Sequence, residues 1–187
     1  MRVVLAERRD PGSLSMLPEL EEMAKTMNYE VVGRVSQVRE PDPAYLIGRG
    51  KVKEIKEIAV SRGAQRVIFA NQLTPTQAYN LSKAIGVEVM DKVQLILEIF
   101  AMRAGTPEAK LQVEYARLRY ELPRIRERIR AMVAVEQPGR MGGGEYEVQV
   151  HYDAVKRRIV SLRRKLAAIE RRRELLRKSR RKLGFRL

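Results

Sequence analysis

Residues 106–132 read TPEAKLQVEYARLRYELPRIRERIRAM, and this stretch decides how the chain is built. Thr106 is a helix N-cap, Pro107 occupies the first helical position, and Glu108 puts an acid in the first turn. Leu111, Tyr115, Leu118, Leu122, Ile125, Ile129 and Met132 then recur at alternating spacings of four and three. That rhythm is a coiled-coil seam, narrower than a general amphipathic stripe. Pro123 sits inside it, where the missing N–H predicts a kink. Downstream, Val148, Tyr152, Val155, Ile159, Leu162, Leu166 and Ile169 repeat the rhythm; Arg173 breaks it and Leu176 resumes it. Between the two seams lies QPGRMGGGE, residues 137–145, a cluster that does not continue a helix. The expected object is two long antiparallel helices, residues 105–182, joined by a glycine-rich tip at 137–146. At 1.5 Å per residue each arm would reach roughly 40–50 Å, more than a domain of this size needs for its own core.

Upstream the periodicity changes. Val3 to Leu5, Tyr29 to Val35, Val67 to Phe69 and Val87 to Val89 are short apolar or β-branched runs that predict four strands. Helical spacings separate them: Leu14, Leu17, Leu20, Ala24 and Met27; then Val52, Ile55, Ile58 and Ala59; then Ala78, Leu81 and Ile85 after the Thr74-Pro75 start, with Gly86 as the stop. A last helix over Val93 to Ala101 closes the unit. Strands alternating with helices imply right-handed crossovers and a parallel sheet. The fold class is therefore α/β: a small parallel-sheet subdomain, residues 1–104, followed by the helical hairpin, with residues 183–187 as the start of a linker.

Composition narrows the function. The chain has 187 residues, is 44% hydrophobic and carries no Cys, which excludes thiolate metal sites, Cys nucleophiles and disulfides. A lone His, His151, makes histidine-based metal or triad chemistry implausible. No apolar run is long enough for a membrane span, and MRVVLAERRD is too short in apolar residues for a signal peptide. The expected location is cytoplasmic. The formal net charge is +15, of which residues 1–100 contribute +1 and residues 101–187 contribute +14. A polyanion, nucleic acid before acidic membrane, is the expected partner, and it should meet the second half. The charge-rich surface of a heat-adapted protein is the bland alternative.

Arg124, Arg126, Arg128 and Arg130 lie on the outgoing arm, Arg140 in the tip, and Lys156, Arg157 and Arg158 on the returning arm. Alternate arginines spread around a helix, so they predict a basic sleeve that holds RNA phosphates. The tip residues Gly139, Met141, Gly142, Gly143, Gly144 and Glu145 lack P-loop spacing and do not follow a strand. They suit a plain turn, or a slender finger entering a narrow RNA cavity. Gly48, Gly50 and Lys51 precede a helix and form a possible anion site, with a tight loop as the simpler explanation. His151 reads as an exposed side chain near a helix start. Asp10, Asp42 and Asp91 fall in loops or at strand ends, with no reason to be paired as acid and base. No catalytic set emerges.

Three stretches together carry a resemblance: PDPAYLIGRGKVKEI (41–55), NQLTPTQAYNLSKAIGVEVMDKVQLILEIFAMRAGTPEAKLQVEYARLRYELPR (71–124), and the glycine tip with the basic helix after it (139–182). The sequence resembles the N-terminal region of the HflX family of ribosome-associated GTPases. The resemblance implies an α/β subdomain carrying a helical hairpin, with a P-loop G domain after it. It also implies docking on the large ribosomal subunit, with the tip, Gly139 to Gly144, directed into rRNA near the peptidyl transferase centre. GTP and Mg are then expected cofactors of the full-length protein and none of this chain; its own G domain is an expected partner. Two departures stand out. The bacterial tip runs Gly-x-Gly-x-x-Gly-Pro-Gly-Glu, whereas this one is RMGGGEYE, so correspondence stops at the glycines and Glu145. No P-loop occurs before LGFRL (183–187), about where a G domain would begin, so the resemblance implies a region cut before that domain rather than a natural stand-alone form. Two competing functions are a regulatory module packed on the G domain, and a small-molecule enzyme using the sheet.

Overall fold

The structure, a computed structural model, describes residues 1–135 and 143–182. Strands β1 (Arg2–Arg9), β2 (Glu30–Val38), β3 (Arg66–Phe69) and β4 (Glu88–Asp91) alternate with helices α1 (Leu17–Thr26), α2 (Arg49–Ser61), α3 (Pro75–Ile85) and α4 (Lys92–Arg103). All pairings are parallel and the sheet order is β2-β1-β3-β4. The period of two in the strands explains the layering. Val4, Ala6, Val35, Val67 and Phe69 face α2 and α3, while Val3, Leu5, Ile68 and Met90 face α1 and α4. Covered on both sides, the central strands read as unbroken apolar runs.

Two local devices set the helices. Thr74 accepts from the Gln77 amide while Gln77 reaches back to the Thr74 amide, a capping box that starts α3. Gly86 ends it at φ 88°, a conformation with no penalty for glycine. Gly33 in β2 serves packing instead: a Cβ there would stand 2.6 Å from the Ile58 methyl of α2.

The expected boundaries shift in places. Leu14 is 90% exposed and precedes α1, which starts only at Leu17 behind Pro18 at its first turn. β1 extends past its apolar run to Arg9, and β4 lies at Glu88–Asp91 rather than at Val87–Val89.

Helices α5 (Pro107–Val135) and α6 (Gly143–Lys182) pack side by side. Glu108 pairs with Arg173 and Glu114 with Arg158, so the two helices run in opposite senses. Ile125, Val155 and Leu162 are buried, and the remaining seam positions from Leu111 to Ile129 and from Val148 to Ile169 are half-buried. Arg173 and Leu176 are exposed, so the seam stops at Ile169. α5 continues through Pro123 as one helical segment, with that ring on the exposed side. At 40 residues α6 is about 60 Å long, more than expected. It begins at Gly143, so Gly143, Gly144 and Glu145 belong to its first turn, against the expectation that the glycine cluster is wholly non-helical. Gly139, Arg140, Met141 and Gly142 lie outside the described residues.

Candidate nucleic-acid interface

The hairpin is joined to the α/β subdomain through one buried carboxylate. Asp91 ends β4 and caps α4, accepting from the Gln94 amide at 3.1 Å in a second capping box. Its other oxygen accepts from the Leu73 amide at 3.0 Å, Tyr120 Oη at 2.6 Å and Arg124 Nη2 at 2.7 Å. Asp91 is 0% exposed. Arg124 also donates to Gln94 Oε1 and lies 5.0 Å from the Tyr120 ring centroid. Burial first, then the hydrogen bond to Asp91 and its charge, push the Tyr120 hydroxyl up to about 12. Thr76 Oγ1 donates to Glu127 at 3.0 Å and adds a second polar tie between α3 and α5.

This arrangement corrects the basic sleeve at one position. Arg124 is turned inward against Asp91, with its side chain 13% exposed, and so belongs to the joint. Arg158 also has a partner: it grips Glu114 with two hydrogen bonds of 2.7 and 2.8 Å, which holds the Glu114 carboxyl below its usual range. Arg130 stands 3.8 Å from Glu127. These three sleeve positions therefore have acidic partners. Arg126, Arg128, Lys156 and Arg157 are exposed and form no ion pair among the described residues. Arg163, Arg164 and Lys165 are exposed along α6 and likewise form no ion pair among the described residues. Arg140 lies outside the described residues.

The remaining candidates resolve differently. The Gly48 amide donates to Gln37 Oε1 at 2.8 Å, and Lys51 pairs with Glu54 at 2.7 Å, so two of the three groups read as an anion site have partners within the protein. Asp42 turns its own loop, accepting from the amides of Ala44 and Tyr45 at 2.8 Å. Asp10 pairs with Arg8. His151 is exposed, but it lies two turns inside α6 rather than at its start. It borders a cavity of about 450 Å³ between α3, β4 and α5, together with Lys83, Arg128 and Glu121. Among the described residues no His, Asp or Glu group is arranged to hold a metal ion, and no helix is long and apolar enough to cross a membrane.

The burial of two acids, Asp91 and Glu7, was not foreseen from the sequence. For Asp91 a signal existed: Asp91-x-x-Gln94 before an apolar run is a capping box. Glu7, 1% exposed in β1, gave none. It accepts from the Ser15 and Ser36 hydroxyls at 2.7 and 2.8 Å and from the Met16 amide at 2.7 Å. Those partners come from two separate segments, the start of α1 and β2, so only the fold makes them neighbours of Glu7.

The chain is thus an α/β subdomain with a basic two-helix hairpin packed against it. Two family models match in tandem: "GTP-binding GTPase N-terminal" over residues 15–101 and "GTP-binding GTPase Middle Region" over residues 103–180. The GTPase HflX of Thermococcus kodakarensis is 45% identical over 167 residues, covering 89% of this chain and 38% of its own length. That of Methanocaldococcus jannaschii is 46% identical over 166 residues, covering 89% of this chain and 41% of its own. The Escherichia coli protein of the same name is 36% identical, covering 88% and 39%. Among solved structures, a GDP complex of the protein named SsGBP superposes with a TM-score of 0.70 at 29% identity, covering 93% of this chain and 46% of that one. The chain thus belongs to the HflX family, whose N-terminal part it represents. It spans about two-fifths of the length of the curated relatives it matches.

Proposed function

We propose that this chain is the ribosome-docking region of an HflX-type GTPase. The hairpin arms hold rRNA phosphates of the large subunit, and the tip at 137–146 points towards the peptidyl transferase centre. The observation that carries this reading is the set of exposed cations Arg126, Arg128, Lys156 and Arg157, which form no ion pair among the described residues, on a two-helix support. Such charges displace condensed counterions from a nucleic acid, and the paired helices set the spacing of the residues that carry them. No catalysis is assigned to this chain; GTP binding and hydrolysis, with Mg, belong to the whole protein. The cytoplasm, where ribosomes work, is the matching location.

Cosedimentation with large ribosomal subunits tests the reading. Binding should fall steeply as salt rises, by roughly 10³-fold or more between 50 and 200 mM for six or more phosphate contacts. Charge reversal at Arg126, Arg128 and Arg157 should weaken it strongly, whereas salt-independent binding would overturn the proposal. Replacing 137–146 by a short linker tests the inserted tip: unchanged affinity removes it from the interface.

A second reading is regulation of the GTPase domain by the hairpin. Val160, Leu175 and Leu176 are exposed on α6 among its cations and suit a protein contact. Comparing GTPase rates of the whole protein and its isolated G domain, both without ribosomes, tests this reading. Equal rates overturn it.

A further inference from the structure

We propose that α2 and the loop before it form a second nucleic-acid contact, a short stacking groove for one RNA strand on the α/β subdomain. Taking the strand as RNA rests on the ribosome-docking reading; the groove itself rests on separate residues. Arg49, Lys53 and Lys56 recur at spacings of four and three and therefore share one face of α2. All three are exposed, and none forms an ion pair or side-chain hydrogen bond among the described residues. The acids of the helix do not neutralise them. Glu54 is taken by Lys51, and Glu57 forms no ion pair with Lys53 one turn earlier. This is unusual in a half of the chain whose net charge is only +1.

These cations rim a cavity of about 280 Å³ whose apolar wall is Tyr45, Val52 and Ala84. Tyr45 is held there from three sides. Its amide donates to Asp42, its ring packs on the core beneath α2 and α3, and Asn80 Nδ2 of α3 donates to the neighbouring Ala44 carbonyl at 3.1 Å. A fixed aromatic beside a rail of cations about 10 Å long is the combination that binds single strands: bases stack on the ring and phosphates follow the rail. An acidic peptide would use the cations and leave the aromatic wall without a role. A duplex would use neither wall nor ring. α2 contacts β1, β2 and α3 rather than α5, so this surface is separate from the hairpin sleeve.

Photocrosslinking and anisotropy with an oligouridine of about twelve nucleotides test the proposal. Crosslinks should map to the peptide carrying Tyr45; crosslinks confined to the hairpin would overturn it. The variant Arg49→Gln, Lys53→Gln, Lys56→Gln should bind at least tenfold more weakly and lower the salt slope by about 2. These side chains are exposed, so folding, followed by circular dichroism, should not change. Tyr45→Leu, which keeps the packing and loses the π face, should cost roughly fivefold or more with an unchanged slope, and Tyr45→Phe should cost little. Equal affinities for all variants would overturn the groove. Polyglutamate displacing the RNA and binding as tightly would assign it to an acidic protein instead, and preference for oligothymidine would overturn RNA as the ligand. Failure of the hairpin variants in cosedimentation, with these results intact, would overturn the hairpin reading alone.

Discussion

At Asp91 one buried carboxylate accepts from four donors belonging to the loop after β3, α4 and α5. Removing it leaves the Leu73 amide, the Tyr120 hydroxyl and the Arg124 guanidinium without their acceptor in a buried place. Asp91→Ala should therefore destabilise the chain by about 3–5 kcal/mol, read as a lower urea midpoint. A double-mutant cycle with Arg124→Met should return a large coupling energy, since each partner exists for the other. The same variant should change RNA affinity through hairpin position alone, so loss of salt slope by a full phosphate contact would return Arg124 to the sleeve. Tyr120 adds a pH signature. Its folded value is raised to about 12 from an ordinary 10, so the folded state holds its proton more tightly. The stabilisation is complete below about pH 10 and is lost as pH rises towards 12. Tyr120→Phe, compared by urea melts across that window, should show a shallower alkaline loss than the parent.

At the scale of elements, the capping boxes and the seams carry the stability. Thr74→Ala removes the N-cap of α3 and should cost about 1 kcal/mol. Leu162 is fully buried between the arms, and Leu162→Ala should cost about 2–5 kcal/mol through lost contacts and the cavity left behind. The same change at Leu176, exposed at 49% and beyond the seam, should cost little. Unfolding midpoints of the two variants measure the contrast, and equal losses would place Leu176 in the core. The Glu114–Arg158 pair adds an acid limb: its carboxyl is held low by the guanidinium, so its contribution is present above the ordinary glutamate value and fades as pH falls through the lowered one.

For the whole molecule, charge is divided by architecture. The α/β subdomain is close to neutral and the hairpin holds the excess, so the basic charge is concentrated on one part of the molecule. On the proposed docking, association with the large subunit should be fast at low salt and slow steeply with ionic strength, as stopped-flow mixing would show. Charge reversal on the hairpin should flatten that dependence. Alternation of short apolar runs with helical spacings made the α/β unit legible, because burial on two faces leaves a periodic record in the chain. The heptads did the same for the hairpin, and the family resemblance rested on the stretches 41–55, 71–124 and 139–182. Arg124 could not be read this way. Its neighbours in sequence, Arg126 and Arg128, have the same chemistry and point outwards; only Asp91, brought up by β4, turns Arg124 inwards.

Local pattern by itself therefore determined the element order, the two-part division and the half of the chain that carries the charge, each from periodicity or composition within one segment. The family entered through the resemblance of whole stretches to known sequences. Tertiary structure alone decided which cations are free, because pairing depends on acids brought together from distant segments: Asp91 with Arg124, Glu114 with Arg158, Glu108 with Arg173. It also decided that Glu7 and Asp91 are buried, and that Arg49, Lys53 and Lys56 stand beside Tyr45 over a shared groove. An ionic group records its type in the sequence, whereas its partner and its exposure are properties of the packed fold.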